Sequence, residues 1–324
     1  MNLHLTKLQK QLCNALQNGL PVCPRPFAKI VKLLNSDEKK ILQRVSELKA
    51  AGIIRRICAI VNYRALGRTS TLVAAHVPEP DLQEIVEAVN SLETVSHNYL
   101  REHYYNLWFT LRGQTAGEIE QMLAGLSGRF GVDFHSMPAE RIFKLDVRFD
   151  AENEGQLLAD TENVPESKNI QLNDIQKLII SKLQDGIEVV ERPFDFLCGE
   201  DVDIEEVLRI IAELIEIGVI RRIAAVVDHR KLGFVANVLF AAEVRGDRID
   251  EVGKSLAGLY IVSHCYRRKT FENWPYNLFA MMHSKGIISI QQEIDKFVRA
   301  YQIRKYALLP TVAELKKQPV KYQF

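Results

Sequence analysis

Residues 52–67, G-I-I-R-R-I-C-A-I-V-N-Y-R-A-L-G, align without a gap on residues 218–233, G-V-I-R-R-I-A-A-V-V-D-H-R-K-L-G. A match of that length is internal duplication, so the two halves of the chain must solve the same folding problem in the same way. The same order recurs around the matched segments. Residues 172–183 correspond to the apolar-striped stretch 5–16, Arg192-Pro193-Phe194 to Arg25-Pro26-Phe27, and residues 203–217 to 38–51.

Within the first copy, Leu5, Leu8, Leu12 and Leu16 form one helical stripe that stops at Gly19, with Pro21 just beyond. Asn35-Ser36-Asp37 offers side-chain oxygens to cap a further helix, whose face is Ile41, Leu42, Val45 and Leu48 and whose end is Gly52. A β-branched run follows at once, so residues 1–62 and 171–228 each read as a winged helix-turn-helix. Strand and helix signals then alternate: strand 69–77, helix 81–92, strands 95–101 and 105–111, helix 116–126, strand 141–147. That β-α-β-β-α-β order is the ferredoxin-like plan, expected over 63–150 and again over 229–324. Residues 151–170 are acidic and polar and carry Pro165, which marks a linker. The fold class is α+β, a tandem duplication that makes a pseudo-dimer within one chain.

The chain has 324 residues and a formal charge of +1, a balance that argues mildly against a dedicated nucleic-acid binder. Five scattered cysteines form no C-x-x-C pair, which points to neither a disulfide framework nor a zinc site. The first ten residues lack the apolar core of a signal peptide, and no run is long enough to cross a bilayer. A cytoplasmic location with no membrane partner is the expectation.

Chemistry concentrates in residues 95–111, V-S-H-N-Y-L-R-E-H-Y-Y-N-L-W-F-T-L, and in their echo over 262–283. Alternate side chains of a strand share a face, so His97, Tyr99 and Arg101 point together, as do His264, Tyr266 and Arg268. A hydrophobic core has no use for that row; a flat anionic ligand has. Guanidinium groups grip carboxylates bidentately, which makes Arg55, Arg56 and Arg101 candidates in one half and Arg221, Arg222, Arg267 and Arg268 in the other. Four histidines are candidate proton donors: His97 and His103, which meet only if the intervening turn folds them together, and His264 and His283 on successive strands of one hairpin. Trp108 is a candidate apolar wall, although Tyr105, Trp108, Phe109, Tyr276 and Phe279 also suit the core of a sheet. His229, aligned with Tyr63, reads as a hinge residue in preference to a ligand.

The order helix-turn-helix, G-V-I-R-R-I-A-A-V-V-D-H-R-K-L-G, ferredoxin-like unit resembles the Lrp/AsnC regulators across both halves. V-S-H-N-Y-L-R-E-H-Y-Y-N-L-W-F, together with V-S-H-C-Y-R-R and W-P-Y-N-L-F-A-M-M-H, more closely resembles the two subunit types of the siroheme decarboxylases, here fused. That resemblance implies loss of CO2 from the C12 and C18 acetate side chains of siroheme, giving 12,18-didecarboxysiroheme on the way to haem d1 or haem. It implies no cofactor and no protein metal site, since the iron belongs to the substrate. Two rival functions are kept: a DNA-binding regulator, and a tetrapyrrole sensor that binds without turnover. Against the regulator, residues 203–217 carry Asp203, Glu205, Glu206, Glu213 and Glu216 against Arg209 alone, a poor surface for phosphate. Siroheme or a related iron tetrapyrrole is the expected partner, DNA is not, and association of the fused chain with further copies is left open.

Overall fold

The computed structural model describes residues 5–153, 155–158, 169–199 and 202–318. Pro165 and most of the expected linker lie outside the described residues. The first copy runs α1 (Lys7–Asn18), α2 (Pro26–Leu34), α3 (Glu38–Ala50), β1 (Ile54–Val61), β2 (Thr69–Ala75), α4 (Leu82–Ser91), β3 (Val95–Arg101), β4 (Leu107–Gly113), α5 (Ala116–Phe130) and β5 (Phe134–Leu145). The second runs α6 (Asp174–Asp185), α7 (Ile204–Glu216), β6 (Ile220–Val227), β7 (Ala236–Ala242), α8 (Ile249–Ala257), β8 (Val262–Arg268), β9 (Leu278–Ser284), α9 (Ile287–Ala300) and β10 (Tyr306–Lys317). Caps match the copies: Thr6 with Gln9 and Asn173 with Gln176 form capping boxes that open α1 and α6. The copies differ at the second helix, where α2 has only a short 3-10 turn, Asp195–Leu197, as its counterpart.

The two helical units share one core. Leu12, Phe27, Ile41 and Val45 of the first copy pack with Ile180, Phe194, Ile211 and Leu214 of the second, all essentially without solvent contact. Each such side chain contributes about 1.5–3 kcal/mol on burial, so the units behave as one body. Their strands do not form separate wings: β1 and β6 pair antiparallel with one another as a two-stranded ribbon. The copies also interlock through the ends of their first helices. Leu20 N donates to Ile223 O at 2.6 Å, and Ile187 N donates to Ile57 O at 2.8 Å. Gly19 and Gly186 precede these bonds with φ of 149° and 114°, values that side chains bearing a Cβ rarely adopt.

The sheet units close on each other as an eight-stranded barrel in the order β10-β3-β4-β2-β5-β8-β9-β7. Sequence periodicity places a last strand at 141–147, whereas β5 begins at Phe134. The reason is that it has two partners: its first part pairs with β2 and its second, Ala139 to Leu145, with β8 of the other copy. β10 divides in the same way between β7 and β3. These shared strands remove both sheet edges, which would otherwise be open to pairing with another chain. The helices α4, α5, α8 and α9 cover the outside. Inside the barrel, Tyr105, Trp108, Trp274, Phe279 and Leu309 fill one part of the interior, leaving the part nearest the ribbon hollow.

Candidate active site between the ribbon and the barrel

A cavity of about 520 Å³ lies where the β1–β6 ribbon covers the barrel. Period-2 alternation builds its walls. On β3 a register shift between Val95 and His97 leaves Val95 in the outer core; beyond it Asn98 bonds Asn90 of α4, while His97, Tyr99 and Arg101 face the cavity. On β8, His264, Tyr266 and Arg268 do the same. Both rows have the same internal geometry. The rings of His97 and Tyr99 stack with centroids 6.3 Å apart, and those of His264 and Tyr266 at 6.0 Å. Arg101 lies over Tyr99 at 5.1 Å and Arg268 over Tyr266 at 4.4 Å. Both guanidinium groups are anchored from behind, Arg101 to Leu309 O at 2.8 Å and Arg268 to Met137 O at 2.7 Å.

The lining holds Arg56, Arg101, Arg112, Arg221, Arg222 and Arg268, together with Lys317, and among the described residues it holds no carboxylate. Apolar and aromatic walls come from Leu72, Trp108, Leu239 and Phe279. Thus Trp108 is both a core residue and a cavity wall, with its indole N–H donated to Tyr105 O at 2.6 Å. Asp146 sits just outside the lining. It is buried, accepts from Arg148 at 2.6 Å, and reaches Arg222 at 3.3 Å.

Three expected site residues lie elsewhere. His103 stands in the turn after β3, where Tyr105 N donates to its Nδ1 at 3.1 Å and its ring meets Trp274 edge-on at 5.4 Å. The turn extends away from the cavity, so it does not bring His103 to His97. Arg55 points opposite to Arg56 on β1 and pairs with Asp228 at 2.9 Å. Its counterpart Arg221 has the uncharged Asn62 in place of that aspartate, and Arg221 lines the cavity. Arg267 alternates with Arg268 and pairs with Glu140 at 2.8 Å on the outer face.

Three lining residues escaped the reading of the sequence: Arg112, His229 and Lys317. His229 is no hinge. It is buried, its Nδ1 lies 3.2 Å from Lys317 Nζ, and its ring centroid lies 5.6 Å from that of His283. Arg112 and His283 occupy equivalent positions on β4 and β9, as Tyr63 and His229 do after the ribbon. A signal was present, because these are points of difference inside segments that otherwise repeat.

Hydrogen bonds tie the second-half histidines together. Ser263 Oγ lies 2.9 Å from His264 Nδ1 and 3.0 Å from His283 Nε2. All four cavity histidines are held uncharged. Burial, then Arg112, Lys317 and His264, push His97 down to about 3. Burial and Lys317 push His229 to about 3, and burial with Arg221 pushes His264 to about 4. His283 is driven well below the usual imidazole range by burial and by His229. Tyr99 is raised to about 12, chiefly by burial, and stays a phenol. The cavity is therefore a strongly cationic chamber with neutral imidazoles and, among the described residues, no carboxylate, suited to a flat polyanion.

The fold and this chamber define a class: a duplicated AsnC-like scaffold that encloses a site for an anionic ligand between its two halves. Comparison with known sequences bears this out, since residues 65–144 and 231–316 each match the AsnC-like ligand binding domain. Residues 9–55 match the siroheme decarboxylase NirDL-like HTH domain. The siroheme decarboxylase of Hydrogenobacter thermophilus is 37% identical over 317 residues, covering 96% of this chain and 94% of that one. The siroheme decarboxylase NirDL subunit of Paracoccus denitrificans is 30% identical over 282 residues, covering 86% and 85%. The crystal structure of the siroheme decarboxylase NirDL superposes with a TM-score of 0.74 at 34% identity, covering 98% of this chain and 94% of that one. Its co-complex with an iron-uroporphyrin III analogue gives 0.73. The chain belongs to the siroheme decarboxylase family, a family of carboxy-lyases. No helix among the described residues is long and apolar enough to cross a membrane.

Proposed function

We propose that this protein decarboxylates siroheme at its C12 and C18 acetate arms, giving 12,18-didecarboxysiroheme, and that it does so in the cavity under the ribbon. The observation that carries this reading is the lining: six arginines and a lysine with no carboxylate, closed by aromatic walls. Siroheme presents eight carboxylates around a flat ring, and only a site with several fixed guanidinium forks can take it out of water without leaving buried charges unpaired. Arg56, Arg101, Arg221, Arg222 and Arg268 hold the carboxylates that remain, and Arg112 and Lys317 join them. Stacked on Tyr99 and Tyr266, Arg101 and Arg268 keep fixed positions, so little side-chain freedom is lost on binding.

Each loss exchanges a carboxylate for a proton: the C–C bond breaks, CO2 departs, and a C–H bond of a methyl group takes the place of the lost bond. The macrocycle serves as the electron sink: with a pyrrole carbon protonated, the pair of the breaking C–C bond enters the ring. Protonation of the exocyclic carbon with loss of the ring proton then leaves the methyl group, so one proton is taken up per CO2 and no further cofactor is called for. His97, His264 and His283 are the candidates for proton donor, from which the variants below select, and His103 has no part because it stands outside the cavity. An acetate arm placed against Trp108 or Phe279 lacks an ion pair that would stabilise its charge before reaction.

The regulator reading finds no comparable support. On α7, Arg209 is itself engaged by Glu206 at 2.6 Å, which leaves a helix of acidic character where a major groove would have to be met. The test is anaerobic incubation with siroheme followed by mass analysis. Loss of two CO2 is expected, and binding without any mass change would convert the assignment to a sensor. Single replacement of His97, His264 or His283 by Ala should slow turnover about 100- to 10,000-fold wherever the lost group is the proton donor. If all three variants kept full turnover, the donors would have to be sought elsewhere.

A further inference from the structure

We propose that Ser263 is a positioning residue that fixes the tautomers of His264 and His283, so that the proton is handled in the second half of the cavity while the first half only grips. The inference rests on the decarboxylase reading and deepens it, and it begins from a count of hydrogens. Ser263 Oγ has three neighbours: Met281 O at 3.2 Å, His264 Nδ1 at 2.9 Å and His283 Nε2 at 3.0 Å. A serine hydroxyl has one hydrogen and two lone pairs. The carbonyl can only accept, so the hydroxyl donates to it, and both imidazole nitrogens must then donate to the serine oxygen. His264 is thereby protonated on Nδ1 and bare on Nε2. His283 is protonated on Nε2 and bare on Nδ1.

The consequence for His283 is visible. Its Nδ1 is buried and has no hydrogen-bond partner, in a side chain only 5% exposed that lines the cavity. Its ring is wedged edge-on against Phe149 at 5.2 Å and His229 at 5.6 Å, so it cannot swing that nitrogen to another acceptor or donor. A buried polar atom without a partner is costly to keep, which favours any ligand that supplies one. Together with the bare Nε2 of His264 it gives two imidazole nitrogens, held by one hydroxyl, that are able to take up a proton when an anion enters.

The first half has the start of this arrangement and not its end. Ser96 Oγ meets His97 Nδ1 at 2.9 Å, as Ser263 meets His264. Where the second half has His283 and His229, however, it has Arg112 and Tyr63, with the Arg112 guanidinium 5.0 Å from the Tyr63 ring centre. A guanidinium stays charged throughout the working range and hands no proton on. The duplicated frame thus ends in a clamp on one side and a serine-bridged imidazole pair on the other.

The test uses the full chain labelled with nitrogen-15 in histidine, with long-range proton–nitrogen correlation spectra at pH 7 in the absence of ligand. His264→Asn and His283→Asn variants assign the signals. The expected result is His264 as the Nδ1–H form and His283 as the Nε2–H form, with Ser263→Ala moving His264 to the Nε2–H form that free imidazole side chains prefer. In the siroheme assay, Ser263→Ala should lower kcat about tenfold to a hundredfold, less than the loss expected when the acid itself is removed, with little change in KM. Ser263→Thr, which restores the hydroxyl, should recover the wild-type tautomers and most of kcat. His264 found as Nε2–H in the wild type, unchanged tautomers in Ser263→Ala, or full kcat in that variant would each overturn the proposal. Should Ser263→Ala fail to fold, the wild-type tautomers still decide it. A wild-type protein without siroheme turnover would sink the decarboxylase reading but leave the tautomer result standing, so the two failures are distinguishable.

Discussion

A polycarboxylate that fills the cavity should bring a proton in with it. In the protein His264 is held down to about 4, first by burial and then by Arg221, with Asp146 opposing and Arg268 and Lys144 adding to the depression. At pH 7 it is neutral and cannot act as an acid. To be half-protonated at pH 7 it must rise by roughly three pH units, about 4 kcal/mol of preference for the charged form. One carboxylate about 4 Å from the ring supplies about 4 kcal/mol at an effective dielectric constant near 20, so a single ligand carboxylate beside His264 is enough. Calorimetric titration with an iron uroporphyrin, in buffers of different ionisation enthalpy, reads the protons taken up. About half a proton per site at pH 7 is expected from His264 alone, and the affinity should tighten by up to about tenfold for each unit the pH falls between 7.5 and 6. That window stays above the range in which the ligand's own carboxylates protonate. His264→Asn should reduce the uptake. No uptake in any buffer, with an affinity that does not change over that window, would refute this and mean that the imidazoles stay neutral under the ligand.

Three further outcomes follow from the structure. Asp146→Asn strips the charge from a buried carboxylate that holds Arg148 at 2.6 Å and Arg222 at 3.3 Å, and should lower stability by about 3–5 kcal/mol, read as a reduced urea midpoint. Gly186→Ala forces a side chain into a φ of 114° with its Cβ 3.2 Å from Ile57 O, and should lower stability by about 1–3 kcal/mol in the same assay. The ligand-free protein should lose stability as the pH falls below the unfolded imidazole value near 6.5. The folded values of His97, His229, His264 and His283 are all depressed, so the unfolded chain takes up protons that the folded one refuses. Each contributes up to about 1.4 kcal/mol per pH unit in that range, and melting scans at pH 7 and 5.5 measure the sum.

Much of the frame was legible because it is written in local periodicity and written twice. The gapless match of residues 52–67 to 218–233 required two equal units, and the alternation along β3 and β8 required His97, Tyr99 and Arg101, and their echo, to face one way. What could not be read is what depends on distant pairing. Nothing local to β5 says that its second part leaves β2 for β8, yet that exchange closes the barrel and so creates an enclosed chamber. Neighbourhood in sequence also misled. Arg55 and Arg267 adjoin true lining residues but, one step along a pleated strand, point the other way; His103 is close to His97 along the chain and is carried off by the turn. Lys317 gave no signal at all, since only the pairing of β10 with β3 sets it beside His97.

The two ends of the cavity differ where the two copies disagree. In a dimer of identical subunits every lining residue appears twice, so a histidine added to the site is added at both ends, and a guanidinium likewise. Fusion removes that constraint. Tyr63 corresponds to His229, Arg112 to His283, Leu145 to Lys317 and Asn62 to Asp228, each pair at equivalent positions of an otherwise shared frame. The first and second exchanges place imidazoles on one side only; the last leaves Arg55 bound to Asp228 while its counterpart Arg221 lines the cavity. Siroheme carries one acetate and one propionate arm on each of its four pyrrole rings, in an order that is not symmetric around the macrocycle, whereas a chamber with equal ends would hold the ring in either orientation with equal energy. Unequal ends split those orientations by the difference in their carboxylate contacts, and a difference of about 1.4 kcal/mol already favours one of them tenfold. On the function proposed above, divergence between the copies is what lets a symmetric scaffold discriminate between the arms that meet the imidazoles.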